Sequence, residues 1–354
     1  MIVQNPNNKW KCTDLIKALP VEAQKQNLME ALGIFGEDLR ATRNLTIRRD
    51  VVNGTAVPRI NYDGRRVNIT PDSYISMNVE IPRVGIEDSI KAADLQDYMD
   101  ISQDVAQARL QALAPIRAKK MTKLNDTLRH TLEVDRLRTL LTGAAYDPTG
   151  VLRRSYGTFN IYEELGITRQ SQALSLGAAD NPSDSINELY TKVRDATYQY
   201  GGGRVVVLAG KTLFNKVAGN PFVVDAKLQV GGNYVLSQLV GRPTAVGLDY
   251  RFRSVEFQDV LFIDASSVSY LDELGAYTSA IGDEVGVAMA VADGLYTTYF
   301  APEQRFDTVN RTAAARMLRE RMNDEQDLYQ MFAESNFFNM LEVPEGVITV
   351  TIAA

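Results

Sequence analysis

The chain has 354 residues, 38 basic and 44 acidic, for a formal net charge of -6. A chain of this length folds as one large or two moderate domains and buries ~75% of its unfolded surface, so its core needs no staples. The acidic balance argues against a dedicated nucleic-acid binder, the single Cys12 excludes an internal disulfide framework, and the single His130 excludes His-rich metal sites.

The opening Met1-Ile2-Val3-Gln4-Asn5-Pro6 has no basic stretch followed by an apolar one, so no secretory signal is read. No run approaches the ~18 apolar residues of a membrane span. The expectation is a protein made and folded in a cytoplasm, with no membrane partner. Residues 1–42 are polar, broken by Pro6 and Pro20, with isolated apolar positions at Trp10, Leu15, Leu28, Leu32, Ile34 and Phe35. That pattern predicts an extended arm with short helical turns lying on another surface, and Trp10 reads as a packing anchor.

From Thr42 the residues alternate. Leu45, Ile47, Val51 and Val52 lead into Asn53-Gly54, and Val57 to Ile60 lead into Asp63-Gly64; both dipeptides are hairpin signals. A longer strand is predicted over Tyr74 to Val84, ending at Pro82. The stretch is rich in charge (Arg48, Arg49, Asp50, Arg59, Asp63, Arg65, Arg66) and thin in apolar residues. A hairpin without an apolar face is marginal in water, so it is expected to lie against a surface from another subunit.

Residues 102–142 form the longest predicted helix. Met121, Leu124, Leu128 and Leu132, then Val134, Leu137 and Leu141, step by three or four, and Gly143 stands where a left-handed cap belongs. Pro115 is expected to break or start it, giving ~40 Å of helix from 116 at 1.5 Å per residue. Its other face carries Lys119, Lys120, Lys123, Arg129, Arg136 and Arg138. Such a face is either solvated or turned toward neighbouring subunits or DNA. Asp147-Pro148-Thr149-Gly150 is a turn, Val151–Ile161 reads as short strands, and the Gly, Asp, Asn, Pro and Ser of 177–183 suggest a boundary. A helix from Asp184 to Tyr200 and strands at Arg204–Ala209, Ala245–Leu248, Val260–Ile263, Leu295–Phe300 and Gly346–Ile352 complete an α+β reading.

No chemistry stands out. Gly210-Lys211-Thr212 follows the strand Val205 to Ala209, but the glycine that a phosphate loop needs five positions earlier is replaced by Val205. The adjacent acids Glu163-Glu164, Asp272-Glu273 and Asp283-Glu284 make poor catalytic pairs. A Ser-His-Asp arrangement could only use His130, which lies in the long helix. No catalytic, metal or cofactor-binding residue is nominated, and the chain is read as no enzyme.

The C-terminal third carries a resemblance. Ala301-Pro302, then Thr308-Val309-Asn310, then Ser335-Asn336 and Pro344 resemble the signature of the lambda-type phage major head proteins, the E family. Leu140-Leu141-Thr142-Gly143, Asp147-Pro148-Thr149-Gly150 and Tyr162-Glu163-Glu164-Leu165-Gly166-Ile167 are similar to that family's elements after the long helix, and Ile81-Pro82 to its hairpin-to-helix junction. Phe337-Phe338 depart from the family's Pro-Leu. The resemblance implies the α+β fold named after phage HK97, in which an arm and an extended loop embrace neighbouring subunits. On that basis the chain divides into an arm at 1–42, hairpin and lead-in at 43–100, a peripheral domain with its spine helix at 101–176, an axial domain at 177–298, a return to the peripheral domain at 299–340, and a C-terminal strand at 341–354.

The implied function is a major capsid protein that self-assembles as hexamers and pentamers into an icosahedral shell around double-stranded DNA, in the host cytoplasm. The implied partners are further copies, a scaffolding protein, a portal, a decoration protein and non-specific contact with packaged DNA; no cofactor is expected. No scaffold-like helical segment precedes the arm, so scaffold is expected as a separate protein or not encoded here. Contacts between subunits are expected at Trp10, Phe35, Arg48, Arg49, Arg65 and Arg66. An encapsulin-like compartment, or a soluble α+β ligand-binding protein or enzyme, are the alternatives.

Overall fold

The computed structural model describes residues 11–13, 28–51, 73–91, 105–144, 160–177, 179–198, 201, 203–230, 252–271, 277–303, 305, 311–323 and 328–353. In chain order these begin with a short strand, β1 (Lys11–Thr13). Helix α1 (Leu28–Leu32) follows, with Leu28, Met29 and Leu32 buried. Gly33, at φ 60, ends it in the left-handed conformation that glycine adopts without a Cβ clash. Strand β2 (Gly36–Leu39) is mostly exposed.

Strands β3 (Asn44–Val51) and β4 (Ser73–Glu80) pair antiparallel from Asn44↔Glu80 to Val51↔Ser73. The runs before and after the two predicted turns therefore form one ribbon; the turns themselves lie outside the described residues. The ribbon is not without apolar anchors, contrary to expectation. Leu45, Ile47 and Val79, with Ile81 just beyond, are at most 8% exposed and join the main core. Thr46 and Asn78 on the opposite face hydrogen-bond to each other at 2.8 Å. These anchors lie at the ribbon's root, and their partners are distant in sequence. The predicted strand 74–84 stops at Glu80, before Pro82, and β5 (Gly85–Ile90) starts afresh.

Helix α2 (Val105–Thr142) has 38 residues, ~57 Å at 1.5 Å per residue. It runs through Pro115 rather than breaking or starting there. The ring removes one amide from the ladder, and the helix continues on both sides. Met121, Leu124 and Leu128 form a stripe against Ile90, Leu318, Met331 and Ala333. Nearer the C-terminus burial widens to Glu133, Val134, Arg136, Leu137, Thr139 and Leu140, so several polar groups there need partners inside the protein. Gly143, at φ 74, donates its N–H to Thr139 O at 2.8 Å. A Cβ there would lie 2.3 Å from the Tyr162 ring, so the cap must be glycine.

After α3 (Ile161–Glu164) come β6 (Ser171–Leu174), α4 (Ser183–Thr197), β7 (Arg204–Ala209), α5 (Lys211–Gly219), α6 (Pro221–Val230), β8 (Ser254–Phe257), β9 (Val260–Asp264), β10 (Ser269–Leu271), β11 (Tyr277–Ser279), β12 (Val285–Val291), β13 (Tyr296–Ala301), β14 (Met317–Asn323), β15 (Leu328–Glu334), β16 (Asn336–Leu341) and β17 (Ile348–Ile352). The strand expected at 245–248 and those expected before Asn160 lie outside the described residues. A six-stranded sheet in the order β6-β17-β12-β7-β9-β8 is the largest. Its central strands Val205–Ala209, Val260–Ile263 and Val287–Ala290 are almost wholly buried, as strands covered on both faces must be. Gly286 lets α5 close on β12, since a Cβ there would meet Leu213 at 2.7 Å.

A second sheet, β1-β14-β15-β5, lies under the first half of α2, and a third, β16-β13-β2, under its second half. The mixture of helices with mainly antiparallel sheets is the expected α+β class. The six-stranded sheet recruits Ser171–Leu174 and Ile348–Ile352 from either side of the segment 177–298.

Candidate intersubunit surfaces

The helix α2 ties together α1, the second sheet and the third. Arg136, 4% exposed, donates through Nε to Thr298 Oγ1 at 3.0 Å and through Nη2 to Glu37 at 3.3 Å, with its guanidinium 5.4 Å over the Phe35 ring. Thr298 donates to Asn339 Oδ1 at 2.8 Å, and Asn339 returns Nδ2 to Asp135 at 2.6 Å. This polar chain leaves the helix at Arg136, crosses β13 and β16, and re-enters the helix at Asp135. Two positions before Asp135, Glu133 accepts the N–H of Met29 at 2.7 Å and so holds α1 against the helix. Burial pushes the Glu133 carboxyl up to about 7, against the opposing pull of the Met29 amide and Arg136.

The first half of α2 is bound to the second sheet by charge. Arg117 pairs with Glu320, which also accepts from the Tyr329 hydroxyl. Lys120 contacts Asp88 at 3.0 Å, lowering that carboxyl through its hydrogen bond despite partial burial. Of the six basic residues expected on a single outer face, Arg136 is buried, Lys120 is engaged with Asp88 and Arg129 pairs with Glu30 at 2.7 Å. Lys119 and Lys123 remain exposed and Arg138 is partly buried; the two lysines lie with the exposed His130 along a shallow depression that Thr122, Asp126 and Thr127 complete.

The expected contact residues divide. Phe35 is corrected: its ring is 6% exposed inside its own subunit, 5.7 Å from Tyr296 and beneath Arg136, so it is unavailable to a neighbour. Arg48 and Arg49 occupy β3, paired with Ser76 and Ile75. Trp10, Arg65 and Arg66 lie outside the described residues.

The signature residues act as internal fasteners. Ala301 is fully buried at the end of β13. The Pro302 carbonyl accepts Asn336 Nδ2 at 3.2 Å, and Asn336 Oδ1 accepts the N–H of Val84 at 3.3 Å. Ser335 Oγ donates to Ala315 O at 2.6 Å. The Pro344 carbonyl accepts the Tyr162 hydroxyl at 3.1 Å, joining the start of the last strand to the turn after α2. Thr308, Val309 and Asn310 lie outside the described residues. Phe337 and Phe338, the departure from the family pattern, continue β16 and are buried there.

The Gly210-Lys211-Thr212 turn is filled from within. The N–H groups of Thr212 and Leu213 both donate to Asp283 O, at 2.9 and 3.0 Å, and a Cβ at Gly210 would lie 2.0 Å from Gly282 O. The helix amides that would face a phosphate face backbone instead. Glu163, Glu164, Asp283 and Glu284 are exposed, and among the described residues no group of three or more His, Cys, Asp or Glu could hold a metal. No helix of the described residues is long and apolar enough to cross a membrane.

A core-rooted ribbon, a long helix bridging two sheets and a separate six-stranded α+β layer together make an HK97-like phage capsid fold. The chain is similar to the capsid protein of a prophage of E. coli CFT073, with a TM-score of 0.54 at 12% identity over 78% of this chain and 79% of that one. It is similar to the mature capsid of bacteriophage PhiM1, with a TM-score of 0.54 at 8% identity over 95% and 90%, and to the capsid of cyanophage P-SCSP1u, with 0.51 at 10% identity over 95% and 91%.

The sequence then fixes the branch of that fold: it matches the phage major capsid protein E family over residues 11–352, and the chain belongs to that family. It is 27% identical to the major capsid protein of Pseudomonas phage KPP10 over 96% of each chain. Its function is that of a tailed-phage major capsid protein, a structural subunit. The family match favours this over an encapsulin-like compartment or a soluble binding protein.

Proposed function

We propose that the chain assembles as hexamers and pentamers into an icosahedral shell enclosing the double-stranded DNA of a tailed phage, in the host bacterial cytoplasm. The observation that carries this reading is the β3–β4 ribbon. Its root is fixed by Leu45, Ile47, Val79 and Ile81, yet among the described residues its strands pair only with each other. A two-stranded ribbon needs a third strand or a packed face for stability, and a neighbouring subunit supplies one. The arm at 1–42 adds further area. Arg48, Arg49, Arg65 and Arg66 set the register against carboxylates across the interface more than they add affinity. Weak contacts suffice because a closed shell repeats each of them.

In this reading the segments 101–176 and 299–340 form the peripheral domain. The segment 177–298, with the strand within 341–354, forms the axial one. A separate scaffolding protein, a portal and a decoration protein complete the particle, and DNA is met by loose contact with lysines such as Lys119 and Lys123.

The test is to replace residues 52–72 by Asn-Gly, which closes the ribbon at the Val51↔Ser73 pair and leaves its buried root intact. The variant is expected to melt as the parent subunit does but to yield no closed particles in negative-stain microscopy. Normal particles from this variant would refute the reading.

A further inference from the structure

Where α1, β2, α2 and the segment before β14 meet, three arginines face two acids. Arg129 is paired with Glu30 and Arg136 with Glu37. The third, Arg316, has a buried Nε without a hydrogen-bond partner and, among the described residues, has no ion pair. Desolvation is the main influence lowering its pKa, Arg129 adds to it, and Glu30 and Glu37 pull only partly the other way. Its place is fixed from behind, because Ser335 Oγ holds the Ala315 carbonyl at 2.6 Å. A half-buried guanidinium whose nearby acids are already engaged by Arg129 and Arg136 costs the isolated subunit free energy.

The surface around it is open. Arg311, Thr312 and Ala314 are exposed, as are Gly36 and Glu37 on the edge strand β2, and Leu39 is 44% exposed. Ala313 ties the two segments together by donating to Arg40 O at 2.9 Å. An exposed edge strand beside an apolar side chain and an unanswered positive charge is a surface built to be covered.

We propose that Arg316 receives a carboxylate from a second copy of this chain, seated along β2 and Leu39. The inference rests on the shell-forming reading above. Charge complementarity favours a second copy over DNA or another protein: acidic residues outnumber basic ones 44 to 38, so the partner best supplied with carboxylates is the chain itself. The arginine is thus a residue whose cost falls on the free subunit and whose use lies in the shell.

Two variants of the full chain, co-expressed with its neighbouring reading frames, test this. Arg316→Leu should leave the melting temperature of the dissociated subunit unchanged or higher, while raising the concentration needed for assembly on the order of tenfold. Arg316→Lys should assemble, and a zero-length carbodiimide should join its new amine to an Asp or Glu. In particles mixed from isotopically light and heavy subunits, that cross-link should join light to heavy chains. Four results would overturn the proposal. They are assembly of Arg316→Leu at the parental concentration, a melting temperature that falls in step with assembly, cross-links confined to one chain, and normal shells that merely retain less DNA. A parent chain that stays monomeric beside its neighbours would overturn the shell-forming reading as well, whereas parental shells with an indifferent Arg316→Leu would sink this proposal alone.

Discussion

Glu133 is a carboxylate in a place that disfavours charge. It is 3% exposed, and its compensation is the amide of Met29 and the nearby Arg136. Because its folded pKa, about 7, lies above the ordinary 4.5, the folded subunit binds a proton more tightly than the unfolded chain does. Stability from this group is fully present below about 4.5 and is lost as pH rises through about 7, a range of ~3 kcal/mol at most. The parent subunit should therefore gain stability relative to Glu133→Gln on going from pH 8 to pH 5. The variant keeps an oxygen for Met29 without the charge, so it should be the more stable of the two at pH 8. Equal differences between the two proteins at both pH values would contradict this assignment. At the same scale, Phe35 shows how a residue can be singled out and misassigned. Its aromatic bulk in a polar stretch was legible, but that Arg136, a hundred residues on, would roof it inside the same subunit was not.

Helix α2 depends on its ends. Arg169 reaches back across the turn to donate to the carbonyls of Leu140 and Leu141, its Nη2 lying 2.7 Å from the first, and it stacks 5.4 Å over Tyr162. These carbonyls have no amide of their own helix to accept, so Arg169→Ala should lower stability by about 2 kcal/mol. Urea denaturation would show it, and an unchanged midpoint would count against the cap. The helix and its Gly143 stop were legible because apolar residues recur every three or four positions, and the strands expected at 204–209 and 260–263 because they are short unbroken apolar runs. Strands β14 and β15 were not. Arg319 and Glu320 are neighbours in β14, on opposite faces, and each is 4% exposed. Their charges are met by Glu303 and Arg117 from distant segments, so a buried strand reads in sequence as a solvated one. The ribbon was misjudged for a related reason: Leu45, Ile47 and Val79 looked too few for an apolar face, yet they suffice for a root.

Over the whole molecule, the hairpin and the last strand carry opposite duties. Among the described residues the ribbon's strands pair only with each other, whereas β17 sits between β12 and β6 inside the six-stranded sheet. Deleting residues 348–352 removes the buried Ile348 and Val350 and takes from β6 the strand it pairs with. The expected result is an insoluble chain, detected by its absence from the supernatant after lysis; a soluble, cooperatively melting product would show that the sheet closes without β17. The family's shell is legible in the sequence only as scattered fasteners such as Pro302, Ser335 and Asn336, because their partners (Ala315 and Val84 among them) are brought near by the fold and not by spacing.

The position of β17 also bears on synthesis. A ribosome releases residues 204–209 and 285–291 well before residue 352, so during translation the sheet waits with the flank of β12 uncovered. A polypeptide cut short before residue 348 lacks the strand that covers that flank. Products truncated before β17 are therefore expected to stay out of the particle through their own failure to fold.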